Sequence, residues 1–336
     1  MKRLFLDCGM GAAGDMLSAA LFELLDDEEK QIFLDTMKAL APEGVSISIR
    51  PDIKCGLLGS HFDVVINGEE EQSLDYHESA HAHSHVHEST HDEVSHEHTH
   101  SHEHVHEGHT HTHEHIHEGH THTHEHSHGG HTHTHEHTHD GYTHTHEHTH
   151  DGHSHEHALT HHGNGHAHAH HSMADVENIV NGFDVLSEDV RKSIMDVYRL
   201  IAEAESAVHG VEVSEMHFHE VGMMDAIIDV TAACLLMDML RPDQVYASPV
   251  RVGKGHVKCA HGILPVPAPA TARLLLGVPV YSGNIEAELC TPTGAALLRH
   301  FVSEFGDQPV MTVRRIGYGM GTKDFEVCNC VRALME

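Results

Sequence analysis

Basic charge is scarce in this sequence: 19 Lys and Arg stand against 52 Asp and Glu, none of the 19 lies between Lys54 and Arg191, and the formal net charge is −33. Duplex nucleic acid and anionic membrane are therefore excluded as natural partners, because both are bound chiefly through Lys and Arg. The 7 cysteines are odd in number and scattered, with no CxxC pair, which argues against a disulfide framework or a zinc knuckle and for reduced thiols. No apolar run reaches the roughly 20 residues of a membrane-spanning helix, and no basic leader precedes a short apolar stretch. These absences lead to the expectation of a cytoplasmic protein.

What the sequence has in excess is histidine. All but seven of the 47 histidines fall between His77 and His171, mostly in His-x-His alternation with Thr, Ser or Glu between. From Glu107 the pattern returns every 11 residues: EGHTHTHEHIH, EGHTHTHEHSH, GGHTHTHEHTH, DGYTHTHEHTH. An 11-residue period suits a right-handed coiled coil only if an apolar seam runs through it, and none does. Period-2 alternation suits a strand only if one face can be buried, and neither is apolar. The segment 75–171 is therefore read as a disordered, metal-binding tract. Imidazoles suit nickel, copper and zinc, so the tract concentrates ions without choosing nickel. With an r.m.s. span of roughly 50–60 Å, it keeps them near the folded part as a buffer and local donor. A solvated insert with incidental metal affinity is the plainer reading.

Residues 1–74 and 172–327 are expected to form one discontinuous α+β body, a mixed sheet flanked by helices, with 328–336 as a C-terminal tail. KRLFLDCGMGAAGDMLSAALFELL reads as strand, glycine turn and a helix from about Asp15. Gly9, Gly11 and Gly14 would let amides approach a phosphate at the helix start, or serve only the sterics of the turn. Asp7 and Asp15 are candidate ligands for a divalent ion. No Walker lysine follows, which excludes a P-loop. Residues 45–66 alternate as a hairpin around Cys55-Gly56. Helices are expected over 173–181 and 187–208 with Ser187 as cap.

HFHEVGMMDAIIDV, from His217 to Val230, is the densest cluster of ligand chemistry. In an extended segment His217 and His219 point the same way, Glu220 follows, and Asp225 and Asp229 stand one helical turn apart. A first-row metal site with His217, His219, Glu220 and Asp225 as ligands is one reading; hydrogen-bonded core histidines and a capping aspartate are the other. Lys254, with Lys258 and Arg251, offers positive charge for a phosphate. Thr291 and Thr293 open a further helix, as caps or as part of an anion cradle.

Five blocks in order, DCGMGAAGDM, HFHEVGMMDAIIDV, HGILPVPAPAT, ELCTPTGAALL and GYGMGTKDF, resemble the LarC family, the nickel-insertion proteins of lactate racemase cofactor maturation. The resemblance implies insertion of nickel into pyridinium-3,5-bisthiocarboxylic acid mononucleotide, a lyase-class chelatase reaction that uses CTP with Mn or Mg. It places Asp7, Gly14 and Asp15 in the first block, His217, His219, Glu220 and Asp225 in the second, and Glu288, Thr291 and Thr293 in the fourth. It also implies a second, ferredoxin-like half, fused or separately encoded, and contact with lactate racemase apoprotein. Val327-Cys328-Asn329 and Val331-Arg332 depart from the family's Arg-Pro-Asn and Leu-Arg. Two rival functions are a nickel store or metallochaperone without organic substrate, and a phosphoesterase built on Asp7 and Asp15.

Overall fold

A computed structural model describes residues 1–70, 74–76, 98–106, 109–117, 122–123, 135–139, 142–146, 171–218, 220–259 and 261–336; of these, 69–70, 74–76, 98–146, 215, 217 and 220 are described as backbone alone. The chain divides into a body, Met1–Glu78 with Gly165–Glu336, and a second unit, Ser79–Asn164. The expected disorder of 75–171 and the metal-binding role of His77 to His171 fall almost wholly outside the described side chains.

The body is a mixed sheet with helices, as the sequence led us to expect. Strand β1 (Arg3–Asp7) is followed by α1 (Gly14–Phe22) and α2 (Asp27–Leu40). Asp26 and Glu29 form a capping box at the start of α2, satisfying two amides that the first turn leaves open. The hairpin β2 (Val45–Lys54) and β3 (Leu57–Ile66) turns through Cys55 and Gly56, both at positive φ. After the second unit come α3 (Met173–Asn181), α4 (Glu188–His209), α5 (Met224–Leu240), β4 (Gln244–Ala247), α6 (Pro269–Leu274), α7 (Pro292–Phe301), β5 (Glu304–Phe305), β6 (Arg315–Met320) and β7 (Cys330–Met335).

The main sheet runs β5-β4-β1-β7-β6-β3-β2. Pairs β5/β4, β4/β1 and β6/β3 are parallel; β1/β7, β7/β6 and β3/β2 are antiparallel. Helix α5, largely apolar apart from Asp225, Asp229 and Asp238, is buried against α1, α4 and α7. Among the described residues no helix is long and apolar enough to cross a membrane.

Two sequence boundaries move. Residues 328–336 are not a tail: Cys330–Met335 is a central strand, paired on both sides, with Val331, Ala333 and Met335 buried. Only pairing with β6 and with β1, which is distant in sequence, makes this short segment a strand. The body also reaches past 74 and 172, because Leu74–Tyr76 pairs with the strand His256–Cys259 and His171–Ser172 pairs with His217–Phe218.

Candidate functional site

Three segments far apart in sequence meet at the C-terminal end of β1. The loop after β1 is stitched to the chain before α7: Ala12 N–H donates to the Leu289 carbonyl (3.0 Å) and Thr291 N–H to the Ala12 carbonyl (3.1 Å). Gly11, at φ +92°, lies so close that a Cβ would fall 1.8 Å from the Leu289 oxygen. At Gly14 a Cβ would fall 2.7 Å from the Asp229 carboxylate of α5. Both glycines are thus required by backbone approach between elements.

The junction opens into a cavity of about 460 Å³. Four carboxylates line it: Asp15 from α1, Asp225 and Asp229 from α5, and Glu288. Lys258, Lys323, Asn329, Thr291 and Thr293 also line it, beside apolar Phe62, Val64, Val221 and Leu289. Lys323 Nζ donates to the Glu288 carbonyl at 3.5 Å. The wall therefore holds cation-attracting and anion-attracting groups within a single space.

Asp229 is strongly perturbed. Burial, then the charges of Asp15 and Asp225, push its carboxyl well above the usual carboxylate range, while the Asp15 backbone N–H donates to it and opposes the rise. That amide belongs to the first turn of α1. The acceptor at this helix start is therefore supplied by the chain itself, as the Asp229 carboxyl, and the missing Cβ of Gly14 lets it come close.

The other anticipated residues separate clearly. Asp15, Gly14, Asp225, Thr291 and Thr293 line the cavity. Thr291 caps α7 by accepting from Gly294 N–H (3.2 Å) and lies 2.9 Å, oxygen to oxygen, from Thr293. Asp7 is not in the lining: it accepts from Gly9 N–H at 3.1 Å and pairs with Arg332 at 2.7 Å. Lys254, expected to meet a phosphate, pairs with Glu286 at 3.1 Å outside the lining, and Lys258 and Lys323 are the lysines inside it. Of the metal set, His217 and Glu220 are placed by backbone only and the His219 side chain lies outside the described residues. Among the described residues, no three His, Cys, Asp or Glu side chains form a group that could hold a metal ion.

Sequence reasoning left Asp229, Lys323 and Asn329 out of the site. Asp229 carried a signal, its one-turn spacing from Asp225; Lys323 carried none beyond its place in the GYGMGTKDF block, and Asn329 none beyond its place in Val327-Cys328-Asn329. One tract residue is well placed. The Nδ1 of His171 lies 2.7 Å from the Gly222 carbonyl, next to Val221 of the cavity wall. A carbonyl only accepts, so this nitrogen carries the proton.

Comparison with known proteins agrees with the blocks. The family model described as "Nickel insertion protein" matches residues 4–336. A pyridinium-3,5-bisthiocarboxylic acid mononucleotide nickel insertion protein of Desulfitobacterium hafniense is 44% identical over 163 residues, 48% of this chain and 40% of that protein. One of the same description from Staphylococcus saprophyticus is 42% identical over 165 residues, 49% and 42% of the two chains. A putative nickel insertion protein of Geotalea daltonii is 44% identical over 167 residues, 49% and 43%. The matched regions span about two-fifths of these relatives' length. No solved structure matches the chain. By the near-complete span of the family match, the chain belongs to the nickel insertion protein family.

Proposed function

We propose that this chain is a chelatase of the lyase class that inserts nickel into pyridinium-3,5-bisthiocarboxylic acid mononucleotide, in the cavity between α1, α5 and the start of α7. The observation that carries this reading is the joint lining of one space by Asp15, Asp225, Asp229 and Glu288 with Lys258 and Lys323. A divalent cation and an anionic organic acceptor have to meet for insertion, and this wall attracts both. An ion in transit needs an incomplete shell, and carboxylates that leave coordination positions open suit that requirement.

In this reading the histidine tract collects nickel and His171 hands it on. A ring whose Nδ1–H is held by a carbonyl presents Nε2 as a ligand, the usual arrangement at metal-binding histidines. His217, His219 and Glu220, which precede Val221 in the sequence, serve as transient ligands, and Asp225 draws the cation inward. Thiocarboxylate sulfurs, softer than imidazole or carboxylate, then take the metal by ligand exchange. Lys258 or Lys323 steadies the phosphate.

CTP with Mn or Mg fits this body poorly. The first-turn amide of α1 already faces Asp229, and Lys254 is paired with Glu286. CTP chemistry is therefore proposed for a C-terminal partner half, fused or separate, and no step here runs through it. Delivery to lactate racemase apoprotein belongs to the same proposal. The test is incubation of the purified chain with nickel, CTP and the bisthiocarboxylate mononucleotide, with and without the second half, followed by mass spectrometry. A nickelated product that requires this chain is expected. Nickel bound to protein with no transfer in either mixture would favour the store or metallochaperone instead.

A further inference from the structure

Two of the seven cysteines stand apart from the rest. Cys8, Cys234 and Cys290 are buried, and burial pushes each thiol upward, as expected of inert core residues. Cys328 and Cys330, by contrast, are partly exposed, and their sulfurs lie 3.6 Å apart. Two residues apart on a regular strand, side chains share a face but stand nearly 7 Å apart along the chain. Here the backbone closes that gap: Cys330 N–H donates to the Cys328 carbonyl at 3.0 Å, a three-residue turn centred on Asn329.

The turn is fixed from both sides. The Asn329 carbonyl accepts from Gly321 N–H (3.0 Å), its side-chain amide donates to the Lys323 carbonyl (2.8 Å), and Cys330 enters the sheet opposite Met320. The two thiols are therefore held together by packing before any ligand arrives. Asn329 lines the cavity, but neither thiol does.

The geometry points to a two-thiolate chelate for a borderline or soft metal ion, Cys328 and Cys330 supplying both sulfurs and solvent or a small ligand completing the shell. With metal–sulfur bonds of about 2.3 Å, a 3.6 Å sulfur–sulfur span subtends roughly 100° at the metal, close to the tetrahedral angle. A disulfide would require the sulfurs to move to about 2.05 Å, against the turn and the ladder that hold them. On binding, each thiol loses its proton to solvent and two metal–sulfur bonds form, with no change in oxidation state. This site is independent of insertion: it needs no organic acceptor, and its chemistry is thiolate where the tract offers imidazole.

The test uses the full chain, reduced, with Ni(II) added beyond the capacity of the histidine tract. Maleimide labelling is followed at each cysteine by peptide mass spectrometry, and near-ultraviolet absorption is recorded in parallel. Nickel should slow labelling of Cys328 and Cys330 together by roughly tenfold when free metal is ten times the dissociation constant, and leave exposed Cys55 unchanged. A thiolate-to-nickel charge-transfer band should appear and be lost in both C328S and C330S, each variant also deprotecting the remaining thiol. Unchanged labelling of the pair, equal protection of Cys55, or recovery of the pair as a disulfide without metal dependence would overturn the assignment. If a serine variant fails to fold, wild-type labelling alone decides.

Discussion

Asp229 illustrates how one residue sets a site's charge. Its carboxyl titrates above the ordinary value because burial and the acids at 15 and 225 disfavour its ionised form. Between the ordinary carboxylate value and the raised one, the folded chain holds a proton that the unfolded chain has released, so stability falls as pH rises through that window and is fully retained below it. Asp229→Asn keeps the shape and removes the titrating proton. The variant should match the parent in denaturant midpoint near about pH 4 and exceed it near about pH 7, flattening the pH profile. Identical pH profiles for the two proteins would show that this buried acid is not the source of the slope. The residue was half legible in the sequence: one-turn spacing put it on the face of Asp225, but nothing local showed that the first turn of α1 would meet it.

At the scale of elements, legibility followed locality. Helices α3 and α4, the hairpin β2–β3 and the strand–turn–helix of β1 and α1 carry their own caps, periodicity and turn residues, and all form where those signals put them. Strand β7 does not announce itself, because six residues with Arg, Ala and Cys gain strand character only from β1 and β6 on either side. The pairing of Lys254 was hidden for a similar reason: its partner Glu286 is 32 positions away, and spacing cannot show it. The contact between α1 and α5 is where elements and site depend on each other. A methyl at position 14 has Asp229 Cβ and Oδ2 at 2.7 Å, and the Cβ cannot move away without its helix. Gly14→Ala should therefore push α1 from α5 and destabilise the fold by about 1–3 kcal/mol, read as a lower denaturant midpoint at unchanged slope. A neutral result would mean that the helices separate freely and that the close approach does not shape the cavity.

The whole molecule couples a histidine tract to a body that closes without it. The last described pairs on either side, Leu74–Tyr76 with His256–Lys258 and His171–Ser172 with His217–Phe218, belong to the body, so a shortened chain must keep both. Replacing 79–164 with a flexible Gly-Ser linker changes loop-closure entropy only slowly with length, by about 0.6 kcal/mol per halving. The body's unfolding midpoint should therefore move little, while the number of nickel ions bound per chain falls sharply. The proposed insertion should then depend on supply: weak at limiting nickel, where a local reservoir would matter, and restored when free nickel is raised to saturation. Storage as the sole function predicts the other outcome, with no activity left to restore at any nickel concentration. Calorimetric unfolding, metal counting by mass spectrometry and the nickel dependence of product formation on the same shortened chain separate the two, because a misfolded body would fail the first measurement before the others are read.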